Sequence, residues 1–79
     1  MTDEEILEQI KDAITEQLDI DRDKIKPEST FFEDLEADSL DVVELILTFE
    51  EAFKIDISDE DAAEIKSVND VLEFVKKSS

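Results

Sequence analysis

The chain has 79 residues, 25 acidic and 8 basic, for a formal net charge of −17, and it contains no glycine, histidine or cysteine. A chain this short buries only about 60% of the surface it exposes when unfolded, so it reads as one domain over residues 1–79, with no room for a cleft between lobes. The missing residue types exclude disulfides, thiolate metal sites and imidazole acid–base chemistry, and the charge would repel nucleic-acid phosphates and an anionic membrane surface.

High net charge favours disorder, but 41% of the residues are hydrophobic and they recur at helical spacing. From about Asp3 to Leu18, Ile6, Leu7, Ile10, Ala13, Ile14 and Leu18 form one apolar stripe, which predicts an amphipathic helix. Thr2 or Asp3 is placed to cap it, and Glu4 or Glu5 suits the positive end of the helix dipole. The pattern breaks from Asp19 to Asp38. Pro27 and Glu28-Ser29-Thr30 mark an ordered loop there, long enough to suggest a function, with Ile20, Ile25, Phe31, Phe32 and Leu35 as anchors to the core.

A second helix is expected from about Ser39 to Phe53, with Asp38 as N-cap and Val42, Leu45, Ile46, Phe49 and Phe53 facing inward. Ser58 with Asp61 predicts a short helix over roughly Asp59 to Ile65. Ser67 with Asp70 opens a last helix to about Lys77, burying Val68, Val71, Leu72 and Val75. Lys76 and Lys77 suit its negative end. The expected fold is all-α: a small bundle of three main helices and one short helix, with a long loop between the first and second.

Asp19-x-Asp21-x-Asp23 begins like a calcium loop, but the glycine and glutamate required further along are replaced by Lys24 and Thr30, which argues against that site. No metal site is expected. Nothing buries or couples the other carboxylate pairs so as to separate their acid strengths, and they read as a solvated face. Ser39 stands apart. In the first turn of a helix its hydroxyl would face solvent beside unpaired N–H groups, a place that favours a phosphate. Serine near a helix start is also an ordinary capping residue, and spacing alone does not choose between the two.

Asp38-Ser39-Leu40-Asp41, preceded by Asp34-Leu35-x-Ala37 and followed by Val43-Glu44-Leu45, resembles the phosphopantetheine-attachment motif of acyl carrier proteins. The similarity extends over nearly the whole chain. It includes Ile10, Ile14 and Leu18, Phe31 with Glu33-Asp34-Leu35, Phe49-Glu50-Glu51-x-Phe53, Ile57 to Ala62 and the Val68 helix. The free-standing type of fatty acid synthesis, very acidic and without a glycine-rich approach to the serine, fits best.

The resemblance implies that Ser39 carries a covalent 4′-phosphopantetheine, transferred from coenzyme A by a magnesium-using synthase, a phosphopantetheinyl transferase. It further implies that the chain is not itself an enzyme: fatty acid synthesis enzymes act on the acyl thioester and dock through basic patches on Asp38, Leu40, Asp41, Glu44, Leu47, Glu50 and Glu51. Glu33 through Glu64 contains thirteen acids and one base, Lys54, so charge is concentrated around the serine. The acyl chain is expected among Phe31, Leu35, Leu45, Ile46, Phe49, Ile57, Ala62, Ile65 and Leu72, all of which a plain core would also need.

Three positions depart from the family's pattern. Glu36 and Asp19 stand where glycine is common, and Phe74 stands where tyrosine is common. Glu36 costs stability if its backbone needs positive φ and otherwise stiffens the loop, and it adds a negative charge near Ser39 that bears on synthase preference. The alternatives are an unmodified acidic helical module that docks on a basic partner, or a carrier for polyketide assembly. The acidic N-terminus, unlike a targeting peptide, and the absence of a long apolar run suggest a cytoplasmic chain, and self-repulsion argues for a monomer.

Overall fold

In a computed structural model that describes residues 2–78, Thr2 opens the first helix, α1 (Asp3–Leu18). Its hydroxyl accepts the Glu5 N–H at 3.2 Å while the Glu5 carboxylate accepts the Thr2 N–H at 3.1 Å. Both donors would otherwise be orphaned at the helix start, so Thr2 rather than Asp3 is the cap. α1 ends where Asp19 turns left-handed (φ 55°) and its N–H bonds back to the Thr15 carbonyl. Ile6, Ile10, Ala13 and Ile14 are buried, and α1 packs against both of the other long helices.

The long loop is held at two places. A single 3₁₀ turn (Arg22–Lys24) is strapped to α1 by Arg22, which pairs with the carboxylates of Glu8 and Asp12 and donates to the Glu8 carbonyl at 3.2 Å. Asp19 serves as a helix cap, while Asp21 and Asp23 face solvent. Further on, the loop runs beside the start of the last helix. Phe31 N–H donates to the Lys66 carbonyl at 3.0 Å and Val68 N–H to the Ser29 carbonyl at 3.0 Å, around a lone Thr30–Ser67 bridge.

The second helix, α2, spans Ser39–Phe53; a short α3 spans Asp59–Glu64; and α4 spans Val68–Ser78. α3 stops one residue before the expected Ile65, which takes an extended conformation and turns its side chain into the core. α4 buries Val68, Val71, Leu72 and Val75, and Asp70 accepts the Lys66 and Ser67 N–H groups at 3.0 and 3.1 Å in the expected capping arrangement. The all-α bundle expected from the periodicity is therefore the fold, with no β-strand among the described residues.

One core gathers α1, α2, α4 and the loop residues Ile25, Phe31 and Leu35. Ile20, Ile46 and Phe53 pack against its edge. Phe32 is a correction: expected as an anchor, it is 53% exposed. Residues 31–34 form a turn, in which adjacent side chains diverge while those four apart share a side. Phe31 and Leu35 therefore face inward and Phe32 faces out.

Candidate functional site

The approach to Ser39 is a turn closed on itself. Thr30 donates its N–H and hydroxyl to the Asp34 carboxylate at 2.9 and 3.2 Å, and the Asp34 N–H returns to the Thr30 hydroxyl at 3.2 Å. Leu35 N–H reaches the Thr30 carbonyl at 3.0 Å and Ala37 N–H reaches that of Phe31 at 2.8 Å. The side chains of Leu35 and Ala37 are buried. Between them Glu36 lies in the left-handed region (φ 54°), so the positive φ considered for this position is present and is occupied by a residue with a side chain.

Asp38 follows in an extended conformation and caps α2. Its carboxylate accepts the Asp41 N–H at 2.9 Å and the Asp41 carboxylate accepts the Asp38 N–H at 3.3 Å. Ser39 is thus the first helical residue and not the cap, which removes the ordinary task of a serine at this place. It is exposed. The N–H groups of Ser39 and Leu40 have no carbonyl one turn back, so the helix end presents free donors and the positive pole of its dipole beside the hydroxyl. A phosphodiester on the Ser39 oxygen would meet these donors, with no buried group in its way. The residues present fit a covalent phosphopantetheine.

Along α2, Leu40, Val43 and Leu47 are 75%, 53% and 56% exposed. They occupy positions i, i+3 and i+7, a single outward stripe. Leu40 and Leu47 were expected there; Val43 was not singled out, although the same spacing marks it. The predicted acids differ in their engagements. Glu44 accepts from the Gln17 side chain on α1, and the half-buried Glu50 accepts the Ile57 N–H at 3.1 Å, holding the segment after α2. Glu51 is exposed.

Of the apolar candidates, Phe31, Leu35, Leu45, Phe49, Ile65 and Leu72 are in the core, while Ile46, Ile57 and Ala62 are half-buried. A cleft of about 370 Å³ opens where the loop, α2 and α3 meet. Ala62 and Ile65 line it together with Phe32, Val42 and Ala63. The sequence pattern did not mark Phe32 and Val42 as lining residues, because exposure of Phe32 depends on the loop's path. No group of three or more acids among the described residues is placed to hold a metal ion, and no described helix is long and apolar enough to cross a membrane.

Residues 8–75 match the family described as the phosphopantetheine attachment site. The acyl carrier protein of Thermosynechococcus vestitus is 51% identical over 75 residues, which is 95% of this chain and 93% of that protein. That of Helicobacter hepaticus is 52% identical over 69 residues, covering 87% of this chain and 91% of its own length. The acyl carrier protein of Clostridium acetobutylicum is 51% identical over 71 residues, covering 90% and 92%.

Proposed function

This chain belongs to the acyl carrier protein family, whose cofactor is a covalently bound 4′-phosphopantetheine, and on that premise we propose that Ser39 is the residue that bears the arm. The observation that carries the assignment is the geometry of the helix start: Asp38 takes the capping role and leaves an exposed serine hydroxyl beside free N–H donors. When bound, the arm supplies a terminal thiol on which acyl groups are held as thioesters.

Ser39 contributes the oxygen that bonds to phosphorus as coenzyme A loses its nucleotide half, and the serine proton departs to a base on the transferase. The capped first turn of α2 holds that oxygen at the end of the bundle. The free N–H groups of Ser39 and Leu40 would serve as donors to a phosphate carried on that oxygen. The chain works as one carrier domain and is not an enzyme; chemistry on the acyl group belongs to partners. Those partners are a phosphopantetheinyl transferase and the enzymes of fatty acid synthesis, in the cytoplasm, with the chain as a monomer. They meet Leu40, Val43 and Leu47 with apolar surface, and Asp38, Asp41, Glu44, Glu50 and Glu51 with Lys and Arg. The cleft bordered by Phe32, Val42, Ala62 and Ile65 is the entry for the acyl chain, which displaces core volume around Leu45, Ile46, Phe49 and Leu72.

Intact mass before and after incubation with coenzyme A, magnesium and a phosphopantetheinyl transferase tests the assignment. The wild type is expected to gain one phosphopantetheine, and Ser39→Ala none. No gain in the wild type with several transferases would favour an unmodified docking module, and a gain in both would move the site away from Ser39.

A further inference from the structure

The acids around Ser39 differ in what they already hold. Asp38 and Asp41 cap one another's backbone, Asp34 accepts from Thr30, and Glu44 accepts from Gln17. Glu36 is exposed and has no hydrogen bond or ion pair within the described residues. Its backbone, by contrast, is tightly held, with φ 54° between two buried neighbours whose N–H groups are bonded at 3.0 and 2.8 Å. Asp19 and Lys54 share the left-handed conformation, but each closes an α-helix by donating its N–H to the last turn. Glu36 closes no α-helix. A side chain in this region is less favourable than glycine, and such outliers gather where function requires them. Ser39 lies three positions after Glu36, which keeps their Cα atoms within about 11 Å.

We infer that Glu36 is a specificity-determining contact for the enzyme that loads Ser39, its carboxylate pairing with a Lys or Arg of the transferase. The inference rests on the assignment of Ser39 above. A carboxylate with no internal partner gives up no existing bond when a partner's cation arrives, and net charge −17 favours that encounter further. The pinned turn also presents the group without ordering a flexible loop, which removes part of the entropy cost of docking. Glu36 does not touch the reacting phosphorus or take the serine proton. It therefore acts on docking, through KM for the carrier, and leaves kcat alone.

The test is loading kinetics with coenzyme A, magnesium and a bacterial holo-acyl-carrier-protein synthase for the wild type, Glu36→Gln, Glu36→Gly and Ser39→Ala. Glu16→Gln, on the exposed side of the first helix, serves as the control. Glu36→Gln is expected to raise KM about three- to tenfold with kcat unchanged, and the difference should fall below about twofold at roughly 0.5 M NaCl. Glu36→Gly should show the same rise in KM while melting higher than the wild type, which separates the charge from the backbone. Glu16→Gln should match the wild type. A loaded wild type with an unchanged KM in Glu36→Gln overturns this inference alone, as does a loss that salt leaves untouched. A wild type that takes no arm overturns the Ser39 assignment and this inference with it.

Discussion

Asp19 sits in a left-handed conformation (φ 55°) at the end of α1, where two effects oppose an aspartate. Its Cβ crowds the backbone in that region, and its charge lies at the negative pole of the helix. Asp19→Gly relieves both and is expected to stabilise the fold by about 1 kcal/mol in urea denaturation, net of the entropy glycine adds to the unfolded chain. Lys54→Gly at the end of α2 (φ 56°) relieves only the first and removes the one base among thirteen acids, so its gain should be smaller. Glu5 makes the complementary case. Its carboxyl is held below the usual carboxylate value, chiefly by the Thr2 N–H and then by the Thr2 hydroxyl. A depressed acid contributes stability above its unfolded value and loses it as pH falls through its folded value. Glu5→Gln, which keeps an acceptor, is therefore expected to be less stable than the wild type near about pH 7, with the gap closing below about pH 3. Denaturation series at the two pH values check the sign.

At the scale of the element, α2 carries apolar residues on two opposite faces. Val42, Leu45 and Phe49 are buried in the core, while Leu40, Val43 and Leu47 face outward. Substituting the outward stripe should leave the fold intact, because exposed positions contribute within about 0.5 kcal/mol. Val43→Asp is expected to melt like the wild type yet to dock poorly, with KM for the loading enzyme raised about fivefold or more if the stripe lies at the centre of the interface. A Val43→Asp carrier loaded as readily as the wild type would remove Val43 from that surface. The cap of the same helix behaves differently. Asp38 satisfies a backbone donor at 2.9 Å, so replacing it destabilises the first turn by about 1 kcal/mol and disturbs Ser39 through position as well as charge.

For the whole molecule the governing quantity is net charge −17 within a radius of gyration of 11.2 Å. The ion pairs between described residues, Arg22 with Glu8 and Asp12, Lys24 with Asp21 and Lys76 with Asp3, are at the surface and offset little of this repulsion. At about 0.01 M salt the screening length is about 30 Å, so every pair of acids interacts across the bundle; at about 0.15 M it is about 8 Å. The melting temperature is expected to rise steeply between these conditions, and further with magnesium at equal ionic strength. A melt insensitive to both would mean that the acids are better compensated than their surface pairing indicates.

The helices were legible because their causes are local. Apolar residues at three- and four-residue spacing mark α1, α2 and α4, and an acid three residues after Thr2, Asp38, Ser58 and Ser67 marks the start of each helix. The place of Ser39 as the first residue of a helix capped by Asp38 was legible for the same reason, whereas its reading as the residue that bears an arm rests on the resemblance of Asp38-Ser39-Leu40-Asp41 to a family motif and not on spacing. What the sequence did not disclose depends on residues remote along the chain or on a loop's path. Gln17 engages Glu44, Ser29 receives Val68, and Phe32 turns outward because Phe31 and Leu35 are drawn into a core built mainly by other helices. Glu36 stands on the boundary: its charge and its unusual place were visible in the sequence. Only the packing of Leu35 and Ala37 on either side decided that its backbone is left-handed and its carboxylate without a partner among the described residues, because buried neighbours fix the dihedral angles of the residue between them.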